Sequence, residues 1–220
     1  MKKHFIILAV LMTCLLNSCT QDEETVYSCN DAINKWAKEN ISMIQKMSRN
    51  EWNQLEAKKK RAAYVGFTQQ QRIMFWHEKL EELKSIDWSQ EELAHIMLVG
   101  KFIDEHNEFF LGKKLTDEQS DILYRFCYTW IQEGIEKYGW TKATAISIIG
   151  TGNTVTDKDG GYTPDPGPNP GSDQECECHA DNIVFTICTA GREQCDKADC
   201  ISTSVGCGFF FSEECNGLCN

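Results

Sequence analysis

Proline is absent from the first 163 residues of this 220-residue chain, and its four prolines (Pro164, Pro166, Pro168, Pro170) fall in one short stretch. Nothing upstream therefore breaks a helix through a missing N–H or a ring clash. Positive charge is also scarce. The 22 Lys and Arg stand against 33 Asp and Glu, a formal charge of −11, which disfavours nucleic acid as a partner. The one basic cluster, Lys58-Lys59-Lys60-Arg61, reads as a solvated helix face. Motifs for catalysis are missing too: there is no His-Glu-x-x-His, no Gly-x-Ser-x-Gly and no phosphate-cradling glycine loop. Glu92-x-x-His95 has the spacing of half a di-iron carboxylate motif, but neither His77 nor His106 has a carboxylate three residues before it. The expectation is a protein that is not an enzyme and takes no cofactor or metal.

What the chain has in quantity is cysteine, at its end. Cys176, Cys178, Cys188, Cys195, Cys200, Cys207, Cys215 and Cys219 lie within 44 residues. So short a segment cannot bury enough apolar surface to hold itself together, so a covalent staple or a metal has to do it. Structural zinc sites present cysteine pairs two to four residues apart around a longer knuckle, and the gaps here fit that pattern poorly. Disulfides are the expected form, with connectivity open.

The start of the chain gives an address consistent with oxidation. Lys2 and Lys3 precede an apolar run at residues 5–16 that is too short for a comfortable membrane span and has the form of a signal peptide. Leu16-Asn17-Ser18-Cys19 resembles the lipobox of bacterial lipoproteins, which implies acylation of Cys19 and a membrane partner through that lipid. Ordinary cleavage after Ser18 is the plainer alternative. Loss of residues 1–18 removes two lysines and no acid, leaving −13. Thr20-Gln21-Asp22-Glu23-Glu24 is similar to a surface-export signal of lipoproteins in Gram-negative anaerobes, so an outer-membrane protein facing outward is expected, with a periplasm-facing one as the alternative.

Residues 28–149 read as a helical domain. Ser28 with Asp31, Ser48 with Glu51, Thr68 with Gln71, Ser89 with Glu92 and Thr116 with Gln119 each offer a capping box, which predicts about five helices. Apolar residues follow at helical spacing, for example Ile73, Trp76, Leu80 and Leu83. Residues 143–149 fit a last helix or a strand. Cys29 and Cys127 are the cysteines left over, and a Cys29–Cys127 bridge is predicted, against two reduced thiols.

Residues 150–174 collect glycine, threonine, aspartate and the prolines, and read as a spacer between two domains. Gly160-Gly161 within it resembles the double-glycine cleavage site of bacteriocin leaders, but Lys158 takes a place where such leaders are apolar. Linker glycines are the simpler reading. Residues 175–220 form the cysteine-rich module, with strands expected at 183–188 and around Phe209, Phe210 and Phe211. From Asp173 onward nine acids face two bases, which disfavours killing by attraction to anionic membranes. The fold class is thus mainly α: a bundle of about five helices, a Pro/Gly linker and a small disulfide-rich β module, with a tether at 19–27.

The Cys-x-Cys at Cys176, the Gly206-Cys207-Gly208 and the Cys215-Asn216-Gly217-Leu218-Cys219, behind a lipoprotein start and a proline spacer, resemble the fulvocin C-related bacteriocin family. The specific part is residues 176–219. The resemblance implies a bacteriocin-like protein whose stapled tail is the effector or recognition part. The alternative is a non-enzymatic surface binding lipoprotein without antibacterial activity, in which Phe209, Phe210 and Phe211, if exposed, contact an unknown protein or cell-surface target.

Overall fold

The computed structural model describes residues 25–163, 178–180, 194–198 and 203–219. The signal peptide, Cys19, Cys176, Cys188, Cys200, the expected strand at 183–188 and the prolines of the spacer lie outside the described residues. The described residues form a mainly helical protein with a small antiparallel strand module at its C-terminal end. The α-helices are α1 (Asp31–Glu39), α2 (Ile41–Ile44), α3 (Arg49–Asn53), α4 (Ala57–Gly66), α5 (Gln69–Leu83), α6 (Gln90–Glu105), α7 (Asp117–Tyr138) and α8 (Lys142–Ile149).

Four of the five expected starts form complete capping boxes: Ser48 with Glu51, Thr68 with Gln71, Ser89 with Glu92 and Thr116 with Gln119. At the first helix Asn30 takes the cap instead of Ser28, its side chain accepting from the N–H groups of Ala32 and Ile33. The expected count of about five becomes eight among the described residues, for three local reasons. The first run breaks at Asn40, whose side-chain amide donates to the Trp36 carbonyl. Helix α4 begins at Glu56 without any side-chain cap, so no hydroxyl announces it. Thr141 and Thr144 close a further box that makes residues 142–149 a helix.

The helices share a core centred on aromatic rings: Trp52, Tyr64, Phe75 and Trp76 pack edge to face at centroid separations of 4.8–5.7 Å. Four basic side chains are buried beside them, Arg49, Lys60, Arg72 and Lys79, and burial, then the charge of Arg49, pushes the Lys79 amine well below its ordinary pKa. Buried charge is tolerated only when it is paired or hydrogen-bonded, and the partners explain a correction to the spacer. Arg49 forks onto Glu82 with two bonds of 3.0 Å and donates to the Gly152 carbonyl at 2.7 Å. Lys79 donates to the carbonyls of Ser147 (2.6 Å) and Thr151, and Lys60 to Asn153 Oδ1 at 3.1 Å. Residues 151–153 are therefore clamped into the body rather than beginning an extended linker. Lys60, expected in solvent, is 6% exposed and lies over the Trp52 ring. Further on, Val155 pairs with Tyr162, and Gly160, at φ +93°, turns so close to α8 that a Cβ would lie 2.4 Å from the Ala143 carbonyl carbon. Gly160-Gly161 is a packed turn.

The C-terminal strands are β1 (Cys195–Lys197), β2 (Thr203–Cys207), β3 (Glu213–Cys215) and β4 (Gly217–Cys219), paired antiparallel as β1 with β4 and β2 with β3. Cys178–Cys195 and Cys207–Cys215 are disulfides, and Cys219 is disulfide-bonded as well. This module is not a body apart. Phe209 and Phe210 belong to the same buried cluster as the helices, so the expected division into two domains does not hold for residues 203–219.

Candidate functional site

The contact between the stapled hairpin and the helices is the most elaborated arrangement among the described residues. The hairpin runs from β2 through a single 3-10 turn, Phe209–Phe211, into β3, and the Cys207–Cys215 disulfide closes its neck. The turn needs Gly208. Its φ of +68° and ψ of −160° suit glycine alone, and a Cβ there would lie 1.7 Å from Glu213 Oε2. The space a side chain would fill is occupied by that carboxylate, which accepts the Phe209 N–H at 2.9 Å. Its other oxygen accepts from the Tyr124 hydroxyl on α7 and lies 3.5 Å from His179 Nε2. His179 in turn donates from Nδ1 to the Glu214 carbonyl at 3.0 Å.

Beyond Gly208 the tip enters the helical core. Phe209 and Phe210 are completely buried, and Phe211 packs against the rings of Trp52, Tyr64 and Trp76. The Phe210 carbonyl accepts from the Tyr64 hydroxyl at 2.9 Å and from the Trp76 indole N–H at 3.0 Å. Burial pushes the Tyr64 phenol above its ordinary range, so it remains a donor. Arg72 supports the wall, its guanidinium donating to the carbonyls of Tyr64, Val65 and Phe110 at 2.6–3.3 Å. Outside the core, Lys114 pairs with Glu214 at 3.0 Å and Ser204 Oγ donates to the Gly112 carbonyl at 3.1 Å.

Three sequence expectations are corrected here. Phe209, Phe210 and Phe211 form neither a strand nor an exposed contact surface, because Gly208 and the two following left-handed phenylalanines turn the chain inward. The Cys29–Cys127 bridge is not formed: Cys127 is a buried thiol on α7. Cys29 lies elsewhere, packed against the Cys207–Cys215 disulfide. Burial, and then the negative charge of Glu213, push the Cys127 thiol well above its ordinary pKa. Of the eight tail cysteines, Cys178, Cys195, Cys207, Cys215 and Cys219 are in disulfides.

The Glu92 and His95 pair is drawn apart. Glu92 serves the α6 cap and takes Lys158 at 3.0 Å and the Trp140 indole at 3.1 Å. Burial works against its charge, yet these donors hold its carboxyl at about 2. His95 instead stacks on Trp130 and hydrogen-bonds that residue's carbonyl through Nε2 at 2.9 Å. Among the described residues no group of three His, Cys, Asp or Glu side chains is placed to hold a metal ion. Comparison with protein-family models, with curated proteins and with solved structures gives no match. Sequence reasoning missed Glu213, Tyr124 and Gly208, although Gly208 two residues after Gly206 is a signal for a backbone that needs positive φ.

Proposed function

We propose that this chain is an exported, lipid-anchored, bacteriocin-like protein of the fulvocin C-related type that acts without catalysis, its stapled tail serving as a recognition part held by the helical domain. The observation that supports this most is the anchoring of the Phe210 carbonyl by Tyr64 and Trp76. With the tail pinned through its tip, the surface it offers a partner is that of β1, where Asp196 and Lys197 are exposed. The disulfides fit export to an oxidising compartment. No helix among the described residues is long and apolar enough to cross a membrane. The finer placement, an outer-membrane lipoprotein facing outward through Cys19, rests on the lipobox-like start.

Mass spectrometry of washed membranes and culture medium under non-reducing conditions tests the reading. The expected result is the oxidised tail joined to acylated Cys19 at the membrane, shaved by protease from intact cells. A free oxidised tail peptide in the medium that kills related strains would overturn the anchored recognition role in favour of a released toxin.

A further inference from the structure

Helices α6 and α7 leave an open groove of about 470 Å³ between them, within the size range of small-molecule sites. Its floor is apolar. Phe102 of α6 and Phe126 of α7 stack face to face at 3.9 Å, Ile122 and Leu98 extend the surface, and Leu98 is 44% exposed. One end is closed by His95 lying flat on Trp130. From Ile122 to Glu133 the α7 wall covers eleven steps of helix, roughly 16 Å.

The charges along this groove are not equivalent. Glu105 is engaged by Lys101 at 3.7 Å and Glu133 by Lys137 at 3.5 Å, each one turn away on its own helix, while His106 faces Glu108 at 3.3 Å. Arg125 lines the same groove, is exposed, and makes no ion pair or hydrogen bond among the described residues. An apolar channel with paired acids and one unengaged guanidinium complements a molecule with an apolar chain and a single carboxylate. A guanidinium binds a carboxylate through two parallel N–H bonds.

We propose that this groove binds an amphiphilic monocarboxylate, its head on Arg125 and its chain along Ile122, Phe126 and Phe102 toward Trp130. The groove shares Phe102 with the docked tail, whose Phe210 ring stacks on it at 6.1 Å, but the proposal does not depend on the recognition role proposed above. A cation of the same chain length meets Arg125 with the wrong sign, and the uncharged alcohol loses the head contact while keeping the chain contact.

Isothermal titration of the full chain, purified without detergent, with sodium dodecanoate below its aggregation concentration is the test. Saturable one-site binding is expected, with dodecan-1-ol weaker and dodecyltrimethylammonium without measurable binding. Arg125→Gln weakens dodecanoate by about tenfold or more, as expected for a lost hydrogen bond to a charged group. Leu98→Trp, which fills the groove from an exposed position, abolishes binding. Both variants keep the parent urea midpoint, because neither side chain is in the core. Absence of dodecanoate binding overturns the proposal. So does equal binding by Arg125→Gln or Leu98→Trp and parent, or an ammonium bound as tightly as the carboxylate.

Discussion

The Tyr64 hydroxyl donates to the Phe210 carbonyl across 146 residues of sequence, at 2.9 Å and out of water. That bond joins α4 to the tip of the stapled hairpin, and the Trp76 indole from α5 reaches the same oxygen. Tyr64→Phe removes one of two donors from a carbonyl that keeps the other, so it costs about 1 kcal/mol. Phe210→Ala empties a filled site in the shared core and costs about 3–5 kcal/mol. Urea unfolding followed by tryptophan fluorescence separates these cases from the alternative of two independent bodies. Because the tip is part of the helical core, Phe210→Ala lowers the midpoint of the helices themselves. An unchanged helical midpoint would mean that the tail contributes nothing to their stability.

Gly208 is the second place where the hairpin can be broken by one change. Alanine there meets both a backbone conformation that L-residues avoid and a carboxylate oxygen 1.7 Å from the new Cβ. Gly208→Ala is expected to cost at least about 2 kcal/mol. Part of that cost is the clash with Glu213, so Gly208→Ala combined with Glu213→Ala is less destabilised than the sum of the single variants. Simple additivity in chemical denaturation would show that the carboxylate does not occupy that space.

Acid stability has an identifiable contributor in Glu92. Burial alone would raise its pKa, but the Ser89 backbone N–H, Lys158 and Trp140 outweigh it and hold the folded carboxyl at about 2, against an ordinary 4.5. The folded state therefore binds fewer protons there than the unfolded chain between those values. The resulting stability is fully present above about 4.5 and is lost as pH falls toward about 2. Glu92→Gln removes this contribution, and Lys158→Met reduces it. Urea midpoints measured across that acid range fall less steeply in Glu92→Gln than in the parent; identical slopes would assign the acid sensitivity to other carboxylates.

Helix starts were legible because a hydroxyl and a carboxylate or amide three residues apart act locally, through bonds that need no tertiary partner. Ser48, Thr68, Ser89 and Thr116 carry that signal, and each caps a helix. Helix α4 carries no such signal: it begins at Glu56 without a side-chain cap, and its packing against the rest of the core defines it. The fate of Phe209, Phe210 and Phe211 was hidden for a similar reason. Three consecutive phenylalanines fit a strand by propensity, and the positive φ of Phe210 and Phe211 reflects donors far away in sequence, Tyr64 and Trp76. Composition placed the spacer at residue 150, but the basic side chains that hold residues 151–153, Arg49, Lys60 and Lys79, sit some 70 to 100 positions earlier. No local pattern reports such a pairing.

Cys127 provides a chemical check on the corrected cysteine assignment. Thiolate is the reactive form, and burial together with the charge of Glu213 pushes this thiol well above its ordinary pKa. In the native, unreduced protein Cys127 is therefore expected to remain unmodified by iodoacetamide while an exposed reference thiol is consumed. In denaturing urea without any reductant, it becomes accessible and is alkylated, since no disulfide engages it. A Cys29–Cys127 bridge gives the opposite second result: Cys127 stays unmodified in urea until a reductant is added. Peptide mapping of the two urea samples, with and without reductant, distinguishes a thiol shielded by packing from one consumed in a bond. Labelling of the native protein at the rate of the reference thiol would instead require that α7 and the docked Glu213 hairpin open on the time scale of the reaction.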